Sequence, residues 1–597
     1  MQGQTGFGKP LGEQIPDTRH AISVSLPTWE DVVAFAGKDP RVMGALKGAT
    51  PVSELCIELF RKQPSAVHAG VDEATHGLGC LLFPSITYAS DCQEYIAVRA
   101  GCDTNEVAIR RFDFIVSRAV DPVDGDEPAS FETIDLYAVF YPEKYHDFAR
   151  RFWRISGTGI SSRLAEDVLR ALEESKPRTT EQQVYNRHPS GSSSHRISQQ
   201  RIASLLQRGI SMLPEPFENH PPDFDDIHLY PTGMAAIYSL TNILRPWSGT
   251  SAVIFGFPYD STLRVQESFA KGHLFYGHGT DDGLDQLEAH LHEEKEIHHR
   301  TIQYVWCECT SNPLVRTPDL DRIRALANDY GFLVIVDDTI GTAANVNVLD
   351  VADIIVTSLS KSFNGRADAM GGSIYLNPMQ PHHDELRRLF ASEENAGYTD
   401  SSLLYHRDAQ QIERNSRDYL PRISKMNANA TRLVDLLTPL AGPDRALQRI
   451  YYPRDDPNYR ARMRQVKNTQ DDDDDGGFVP GYGGLFTLRF ASVGVARTFF
   501  DALDVCKGSS LGAEMTLAQP YVQTVFPRKK EWAAQYGLDE AIVRCSIGVE
   551  DGDVLERVFG VAMEAVEKAF DNIPSYTKGR ADYPALQIKA SHHRLAS

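Results

Sequence analysis

A lysine between two serines is the residue of this sequence best suited to covalent chemistry. Lys361 follows a short apolar run at 353–357 and lies in the segment VTSLSKSFNGRADAMGG (356–372). A lysine just past the end of a buried strand can form an imine with an aldehyde cofactor, and the hydroxyls of Ser358 and Ser360 can bind its phosphate. An ordinary loop lysine could have the same neighbours, so this segment alone leaves both interpretations open.

Two adjacent acids lie 24 residues before that lysine, where the apolar run 332–336 ends in Asp337, Asp338 and Thr339. Ligands of α/β folds bind at the carboxyl ends of parallel strands. A carboxylate there can keep the pyridinium nitrogen of pyridoxal phosphate (PLP) protonated, so that the ring accepts electrons. Two neighbouring acids could instead bind a metal ion, but the lysine segment downstream favours the cofactor.

Two further segments could contact such a cofactor. Gly233 and Met234, in YPTGMAAIYS (230–239), begin a predicted helix whose backbone N–H groups and dipole favour a phosphate. Tyr259, in GFPYDST (256–262), follows another predicted strand and could stack on a pyridine ring. Each signal is weak alone, but the order of these segments along the chain supports a cofactor site.

Alternating strands and helices must position these residues. Between about 225 and 378, short runs that are apolar on both faces alternate with amphipathic helices. The predicted strands are 252–257, 302–307, 332–336 and 353–357, and the predicted helices include 282–296 and 318–330. This pattern predicts an α/β fold with a parallel sheet covered by helices on both sides.

The whole chain divides into four predicted parts. We expect an N-terminal extension of mixed α/β character (1–180), an arm or linker (181–224), a large domain with the chemistry (225–424) and a smaller α+β domain (425–597). The arm is predicted from the polar, Ser/Pro/Gly-rich stretch 175–200. Five consecutive aspartates at 471–475 are interpreted as a solvated loop.

Composition excludes several classes of protein. The 597 residues include 61 basic and 81 acidic side chains, and the net charge of −20 argues against a nucleic-acid binder. We expect no membrane span and no secretory signal, because no apolar run is long enough. The eight scattered cysteines predict a reducing compartment, hence the cytoplasm. Cys307 and Cys309 lack a second ligand pair, so no metal site is expected.

Several motifs together resemble the Cys/Met-metabolism enzymes that depend on PLP, of fold type I. They are TGMAA (232–236), ECTSNP (308–313), IVDDT (335–339) and SLSK followed by G-x-x-D-x-x-GG (358–372). The likeness to the fungal cystathionine γ-synthase group extends to SLPTWEDVV (25–33), CLLFPS (80–85) and VRCSIGVED (543–551). The resemblance therefore covers nearly the whole chain, including an extension that bacterial relatives lack.

The resemblance implies roles for individual residues. Lys361 would hold the cofactor and move protons, Asp337 would pair with the pyridinium nitrogen, and Tyr259 would stack on the ring. The other implied cofactor contacts are Gly233, Met234, Thr339, Ser358 and Ser360, with Tyr185 and Arg187 reaching the phosphate of a neighbouring subunit. The implied substrate contacts are Arg544, Ser510 and Asn312, of which Arg544 would clamp a carboxylate.

The resemblance also implies an activity, γ-replacement on O-acetyl-L-homoserine or another O-acyl-L-homoserine through a vinylglycine-type ketimine. L-cysteine as nucleophile would give L-cystathionine. Alternatives are a carbon nucleophile such as acetoacetate, which would form a C–C bond in specialised metabolism, a sulfide-using synthase, a lyase and a non-catalytic regulatory relative. The family usually forms homodimers or homotetramers with shared active sites, so we expect at least a dimer.

Departures from the family pattern concern the pocket for the nucleophile. Asp338 and Thr310 replace the usual Asn and Pro, and Arg366 with Ala367 replaces the usual His-Ser. None of these positions is a core cofactor contact. Because fold and cofactor contacts do not determine the nucleophile, these departures leave its identity open.

Overall fold

A seven-stranded sheet forms the centre of the large domain. The computed structural model describes residues 8–38, 51–61, 77–118, 130–174, 184–185, 192–208, 222–465 and 478–571. The strands of this sheet are β7 (Ile227–Tyr230), β8 (Ala252–Phe255), β9 (His273–Tyr276), β10 (Tyr304–Glu308), β11 (Leu333–Asp337), β12 (Ile354–Thr357) and β13 (Gly372–Leu376). Their order is β7-β13-β12-β11-β10-β8-β9, and β13 alone runs in the opposite direction to the other six strands.

Both faces of this sheet are buried. In β11, Val334 and Val336 pack into the core on one side, and Leu333 and Ile335 pack into the core on the other. The main helices of the domain are Gly233–Ile243, Asp260–Phe269, Asp281–Glu296, Leu320–Tyr330, His383–Phe390, His406–Asn415 and Tyr419–Leu437. The strand order and the two layers of helices confirm the predicted α/β fold with a mostly parallel sheet. The prediction was possible because short strands without alternation are typical of sheets covered on both sides.

The small domain contains a five-stranded mixed sheet. Its strands are β14 (Leu447–Tyr451), β15 (Leu485–Phe490), β16 (Cys506–Lys507), β17 (Leu517–Gln519) and β18 (Ile542–Ser546), in the order β14-β15-β18-β17-β16. Its helices are Pro457–Arg462, Val493–Ala502, Tyr521–Val525, Lys530–Gln535 and Gly552–Asp571. The aspartate run at 471–475 lies outside the described residues.

The N-terminal extension has a sheet of its own. Its strands are β3 (Leu78–Phe83), β4 (Ala108–Arg118), β5 (Ser130–Pro142) and β6 (Val184–Tyr185), and β5 pairs with each of the others. Its helices are Pro51–Arg61, Ile86–Ala100, His146–Ser156 and Ser162–Glu173. One of them, Ile86–Ala100, packs on the large domain, where the hydroxyl of Tyr88 lies 2.8 Å from Ser239 Oγ.

The leading segment, residues 8–38, lies across the small domain. It includes β1 (Gln14–Ile15), β2 (Ser23–Val24) and the helix Trp29–Ala36. The N–H of Trp29 donates to Asp501 over 2.7 Å, and the N–H of Ile22 donates to the carbonyl of Ala367 over 3.0 Å. This segment therefore connects the small domain with the loop that follows Lys361.

The prediction of a linker at 175–200 was wrong for the end of this stretch, where a helix begins. Residues Ser193–Gln207 are helical, and Ser192 with His195 forms a capping box at the start. Ile202, Leu205 and Leu206 are buried against the core of the large domain. These apolar residues follow the polar stretch, which explains why its composition indicated a linker. In the part of the chain that the structure describes, no helix has the length and apolar character to cross a membrane.

Candidate active site

The loop after β12 holds Lys361 against the small domain. Lys361 Nζ lies 3.5 Å from Ser510 Oγ. Burial, and to a lesser degree the positive charge of Arg544, lowers the pKa of Lys361 to about 8. A sizeable fraction of this amine is therefore neutral near physiological pH, as nucleophilic attack on an aldehyde requires.

Asp337 lies at the carboxyl end of β11, in register with Glu308 of β10 and Val356 of β12. Its Oδ1 accepts a hydrogen bond of 2.9 Å from the N–H of Thr339. Burial raises the pKa of Asp337. A positively charged N–H donor, such as a pyridinium, would stabilise the charged carboxylate in this buried place, so Asp337 fits the predicted cofactor.

Gly233 and Ser358 form a cradle of the kind that a phosphate needs. Thr232 caps the helix Gly233–Ile243 by accepting a 2.8 Å hydrogen bond from the N–H of Ala235. The N–H groups of Gly233 and Met234, at the first two helical positions, have no acceptor within the helix. A Cβ on Gly233 would lie 2.6 Å from both Cβ and Oγ of Ser358, so only glycine allows this approach.

Thr339 connects the cradle with Asp337. Its hydroxyl accepts a 2.8 Å hydrogen bond from the N–H of Ser358, and its own N–H donates to Asp337. The predicted cofactor residues Gly233, Ser358, Thr339 and Asp337 are thus joined by direct contacts along the edge of the sheet. This arrangement fits PLP, with the phosphate at the helix and the pyridinium nitrogen at Asp337.

Ser360 is engaged differently from Ser358. Its hydroxyl accepts a 3.0 Å hydrogen bond from the N–H of Gly371 and donates over 3.2 Å to the carbonyl of the same residue. A hydroxyl has one proton to donate, and here that proton is used within the loop. The phosphate contact predicted for Ser360 stays a prediction.

Arg544 forms the other end of the site. It lies in β18, is 3 % exposed, and donates to Asn312 Oδ1 over 3.1 Å. It also donates to the carbonyls of Ser509 (2.8 Å) and Ser510 (3.0 Å). These acceptors are neutral, and no carboxylate of the described residues forms an ion pair with Arg544. A buried guanidinium without an anion is a natural site for a substrate carboxylate.

Two residues that the sequence analysis did not assign also shape the site. The carboxylate of Glu308 accepts a 2.6 Å hydrogen bond from the N–H of Tyr259, a residue that is 41 % exposed. The ring centroid of Tyr521 lies 5.4 Å from Cζ of Arg544, and its buried hydroxyl has no hydrogen-bond partner among the described residues. Glu308 lies within the ECTSNP motif, which was a usable signal, whereas nothing in the sequence distinguished Tyr521.

Tyr185 lies apart from the other predicted cofactor residues. It belongs to β6, opposite Glu132 of β5, in the sheet of the N-terminal extension. Arg187 lies outside the described residues. The contribution of this pair to a neighbouring subunit stays a prediction.

The two adjacent acids have separate partners. Asp337 accepts from Thr339, whereas Asp338 accepts a 2.5 Å hydrogen bond from the hydroxyl of Thr357. Burial raises the pKa of Asp338 to about 7. Over the described ranges, no group of three or more His, Cys, Asp or Glu residues is arranged to hold a metal ion.

Comparison with known families agrees with this geometry. The profile described as Cys/Met metabolism PLP-dependent enzyme matches residues 224–564. The chain belongs to this family of Cys/Met-metabolism enzymes. PLP is therefore its cofactor, as predicted. The profile of the fungal trans-sulfuration enzyme N-terminal domain matches residues 52–161, so this family member also has the fungal type of extension.

Three fungal relatives of this Cys/Met-metabolism enzyme match 94 % of its chain. A cystathionine gamma-synthase of Neurospora crassa is 32 % identical over 98 % of its own length. A cystathionine gamma-synthase-like enzyme of Amanita muscaria (98 % of its length) and an alanine racemase of Aspergillus violaceofuscus (97 %) are each 35 % identical.

A bacterial crystal structure shares the fold. The cystathionine gamma synthase of Xanthomonas oryzae in complex with cystathionine is 20 % identical, with a TM-score of 0.50. The match covers 66 % of this chain and 91 % of the bacterial one. At this identity the likeness concerns the fold alone, and it confirms fold type I.

Proposed function

We propose that the protein catalyses γ-replacement on O-acetyl-L-homoserine with L-cysteine as nucleophile, giving L-cystathionine and acetate. The observation that carries this proposal is the double role of Ser510. Its hydroxyl lies 3.5 Å from Lys361 Nζ, and its carbonyl accepts from Arg544 over 3.0 Å. One loop thus brings a reactive amine and a carboxylate-binding guanidinium together, as an α-amino-acid substrate requires.

Each residue has a distinct part in the proposed reaction. PLP, when bound, provides the electron sink for the carbanion at the substrate. Arg544 holds the α-carboxylate, and Asn312 orients the guanidinium. Lys361 takes up and returns the protons of Cα and Cβ, which suits a group whose pKa is about 8. Overall, the Cγ–O bond breaks, acetate leaves, the cysteine sulfur bonds to Cγ, and the thiol proton is released.

The residues that depart from the family pattern lie beside this machinery. Arg366 forms ion pairs with Asp418 (2.7 Å) and with Glu514, which follows Ser510 on the same loop. Thr310 is buried, and its hydroxyl has no hydrogen-bond partner among the described residues. These differences support keeping a carbon nucleophile as an alternative, in which acetoacetate would replace cysteine.

The relatives suggest one more alternative. The Aspergillus violaceofuscus relative is named an alanine racemase, which implies exchange of the Cα proton without loss of a γ-substituent. Its identity to this chain is similar to that of the cystathionine gamma-synthase-like relative. Racemisation is therefore the rival reaction that an assay must include.

A product assay tests the proposal. The purified enzyme is incubated with O-acetyl-L-homoserine and either L-cysteine, sulfide or acetoacetate, and the products are weighed by mass spectrometry. In parallel, L-alanine is followed by chiral chromatography, and Lys361→Ala serves as the inactive control. Cystathionine as the main product supports the proposal. A C–C product, D-alanine or homocysteine as the main product would overturn it, and so would the absence of acetate release.

We further propose that the working enzyme is at least a dimer, with Tyr185 and Arg187 completing the site of the neighbouring subunit. Complementation distinguishes the arrangements. Lys361→Ala and Arg187→Ala are expected to be inactive alone and to regain activity when co-expressed, because one of the mixed sites is then intact. An active monomer in light scattering, or mixed samples without activity, would contradict a shared site.

A further inference from the structure

A loop of the N-terminal extension touches the candidate active site at two points. The carbonyl of Gly157 accepts a 2.9 Å hydrogen bond from the hydroxyl of Thr232. Thr232 caps the helix Gly233–Ile243, which we call the cradle helix. Six residues later, Nη1 of Arg163 donates over 2.8 Å to the carbonyl of Asp368 in the loop after Lys361. The segment 156–163 therefore contacts both the phosphate cradle and the lysine loop.

The contact at Gly157 leaves no room for a side chain. Gly157 has φ +63°, and a Cβ there would lie 2.5 Å from Thr232 Oγ1 and 2.6 Å from Met234 Cβ. Real Cβ atoms do not approach other atoms so closely. The backbone of the extension thus packs directly on the residues that open the helix.

The same helix is held along its outer face. The hydroxyl of Tyr238 donates to Asp91 of the extension over 2.8 Å, and Ser239 Oγ lies 2.8 Å from the hydroxyl of Tyr88. Both contacts lie within two turns of Gly233. Since a helix moves as a rigid unit over this length, the extension fixes where the N–H groups of Gly233 and Met234 point.

Arg163 makes the second contact, which is with the loop after Lys361. Its side chain is 8 % exposed, and besides the Asp368 carbonyl it donates to Asp408 Oδ1 over 3.1 Å. The Asp368 carboxylate accepts from Asn415 (2.9 Å) and Gln411 (3.0 Å). The loop between Lys361 and Gly371 is thus fastened at Asp368 from the large domain and from the extension.

We propose that Gly157 and Arg163 are positioning residues for the cofactor, and that the extension is part of the PLP-binding machinery. Gly157 holds the phosphate cradle and Arg163 holds the lysine loop in the geometry that binds PLP. This inference rests on the cofactor of the family and is independent of the proposed substrate and nucleophile, because the binding of PLP is measured without either.

A matched pair of glycines tests the first contact. Gly101 and Gly157 both end a helix of the extension, with φ +64° and +63°. Apart from its own chain neighbours, no atom of the described residues lies within 4 Å of a Cβ built on Gly101. In the full-length protein, Gly157→Ala is expected to raise the Kd of PLP about tenfold or more, because small displacements of binding groups have large effects. Gly101→Ala is expected to leave the Kd within about twofold of wild type.

The melting temperature of the PLP-free protein distinguishes a positioning role of Gly157 in PLP binding from a general effect on the stability of the fold. Backbone strain is common to both glycine variants, so both are expected to melt somewhat lower. If Gly157→Ala lowers the melting temperature but keeps the wild-type Kd, or if the two variants shift the Kd equally, the proposal is wrong.

Two arginines of one helix test the second contact. Arg163→Lys keeps a positive charge near Asp408 but loses Nη1, which donates to both Asp408 Oδ1 and the Asp368 carbonyl. We expect a weaker affinity for PLP and a shifted pH dependence of the absorbance of bound PLP. Arg170→Lys, whose parent side chain is 54 % exposed and pairs with Asp167, is the control. A wild-type Kd and pH profile in Arg163→Lys would refute the positioning role.

Discussion

The two ends of the candidate site are built in different ways. The phosphate end consists of backbone N–H groups and hydroxyls at Gly233, Thr339 and Ser358, in contact so close that a methyl group would not fit. The carboxylate end consists of the long side chain of Arg544, held by neutral acceptors from the large and small domains. The first end is set by the backbone, and the second by side chains between two domains.

This difference indicates where the reaction can vary among related enzymes. The cofactor end tolerates little change, because a substitution there displaces the main chain. The substrate end can accept departures such as Thr310 and Arg366 without loss of cofactor contacts. We therefore expect substitutions at the two ends to have separable effects on PLP affinity and on substrate use.

The largest effect is expected where the two ends meet. Lys361→Ala should lower kcat about a thousandfold or more, because the residue that we propose to bind the cofactor and to move the protons is lost. Turnover and visible absorbance measure this change. Lys507 is a second buried lysine whose pKa is lowered to about 8. If borohydride reduction attached PLP to Lys507 instead, the role of Lys361 would be disproved.

Substitutions at the carboxylate end should mainly weaken substrate binding. Arg544→Lys is expected to lower kcat/KM about a hundredfold, chiefly through KM, because an ammonium group cannot replace the guanidinium fork. Arg489→Lys, on the neighbouring strand and paired with Asp539 at 3.2 Å, is the control and should stay near wild type. An Arg544→Lys variant that loses PLP but keeps KM would contradict the separation of the two ends.

The two serines beside Lys361 should differ at the phosphate end. Ser358→Ala is expected to raise the Kd of PLP about tenfold, because it removes a hydroxyl at the cradle. Ser360→Ala removes a bond within the loop and should cost about 1 kcal/mol of stability with a smaller change of Kd. Titration with PLP and urea unfolding measure both. Equal effects on the Kd would mean that Ser360 also binds the phosphate.

The smallest effect on catalysis is expected at Asp338, whose substitution should change stability instead. Burial raises its pKa from 3.8 to about 7, so the folded state binds a proton that the unfolded state has lost, and stability falls as pH rises from about 4 to 7. Asp338→Asn removes this penalty and should stabilise the protein by up to about 4 kcal/mol at pH 8 and little at pH 4. Unfolding at both pH values is the measurement. An equal change at both would show that Asp338 does not titrate in this range.

The parts of the site with local signals were predictable from sequence. A short apolar run precedes Asp337 directly and another precedes Lys361 by a few residues, so position and chemistry appear together. Gly233 likewise begins an apolar helix. These three segments required only the rule that ligands bind at the carboxyl ends of parallel strands.

Contacts between distant segments were not predictable in the same way. Gly157 meets Thr232 across 75 residues, and Arg163 meets Asp368 across 205. Nothing in the composition of 1–180 indicated that it reaches the active site. The helix Ser193–Gln207 was missed for a simpler reason, since its buried apolar residues begin at Ile202, beyond the polar stretch that suggested a linker.

The aromatic contacts between the extension and two helices of the large domain also affect how the chain matures. Phe152 packs on Tyr238 with ring centroids 5.7 Å apart, and Tyr95 packs on Phe269 at 5.6 Å. A ribosome makes Tyr95 and Phe152 first, so their apolar surface has no partner until the large domain emerges. The extension therefore cannot be treated as a removable module, because a chain without it would expose the other half of this surface and tend to aggregate.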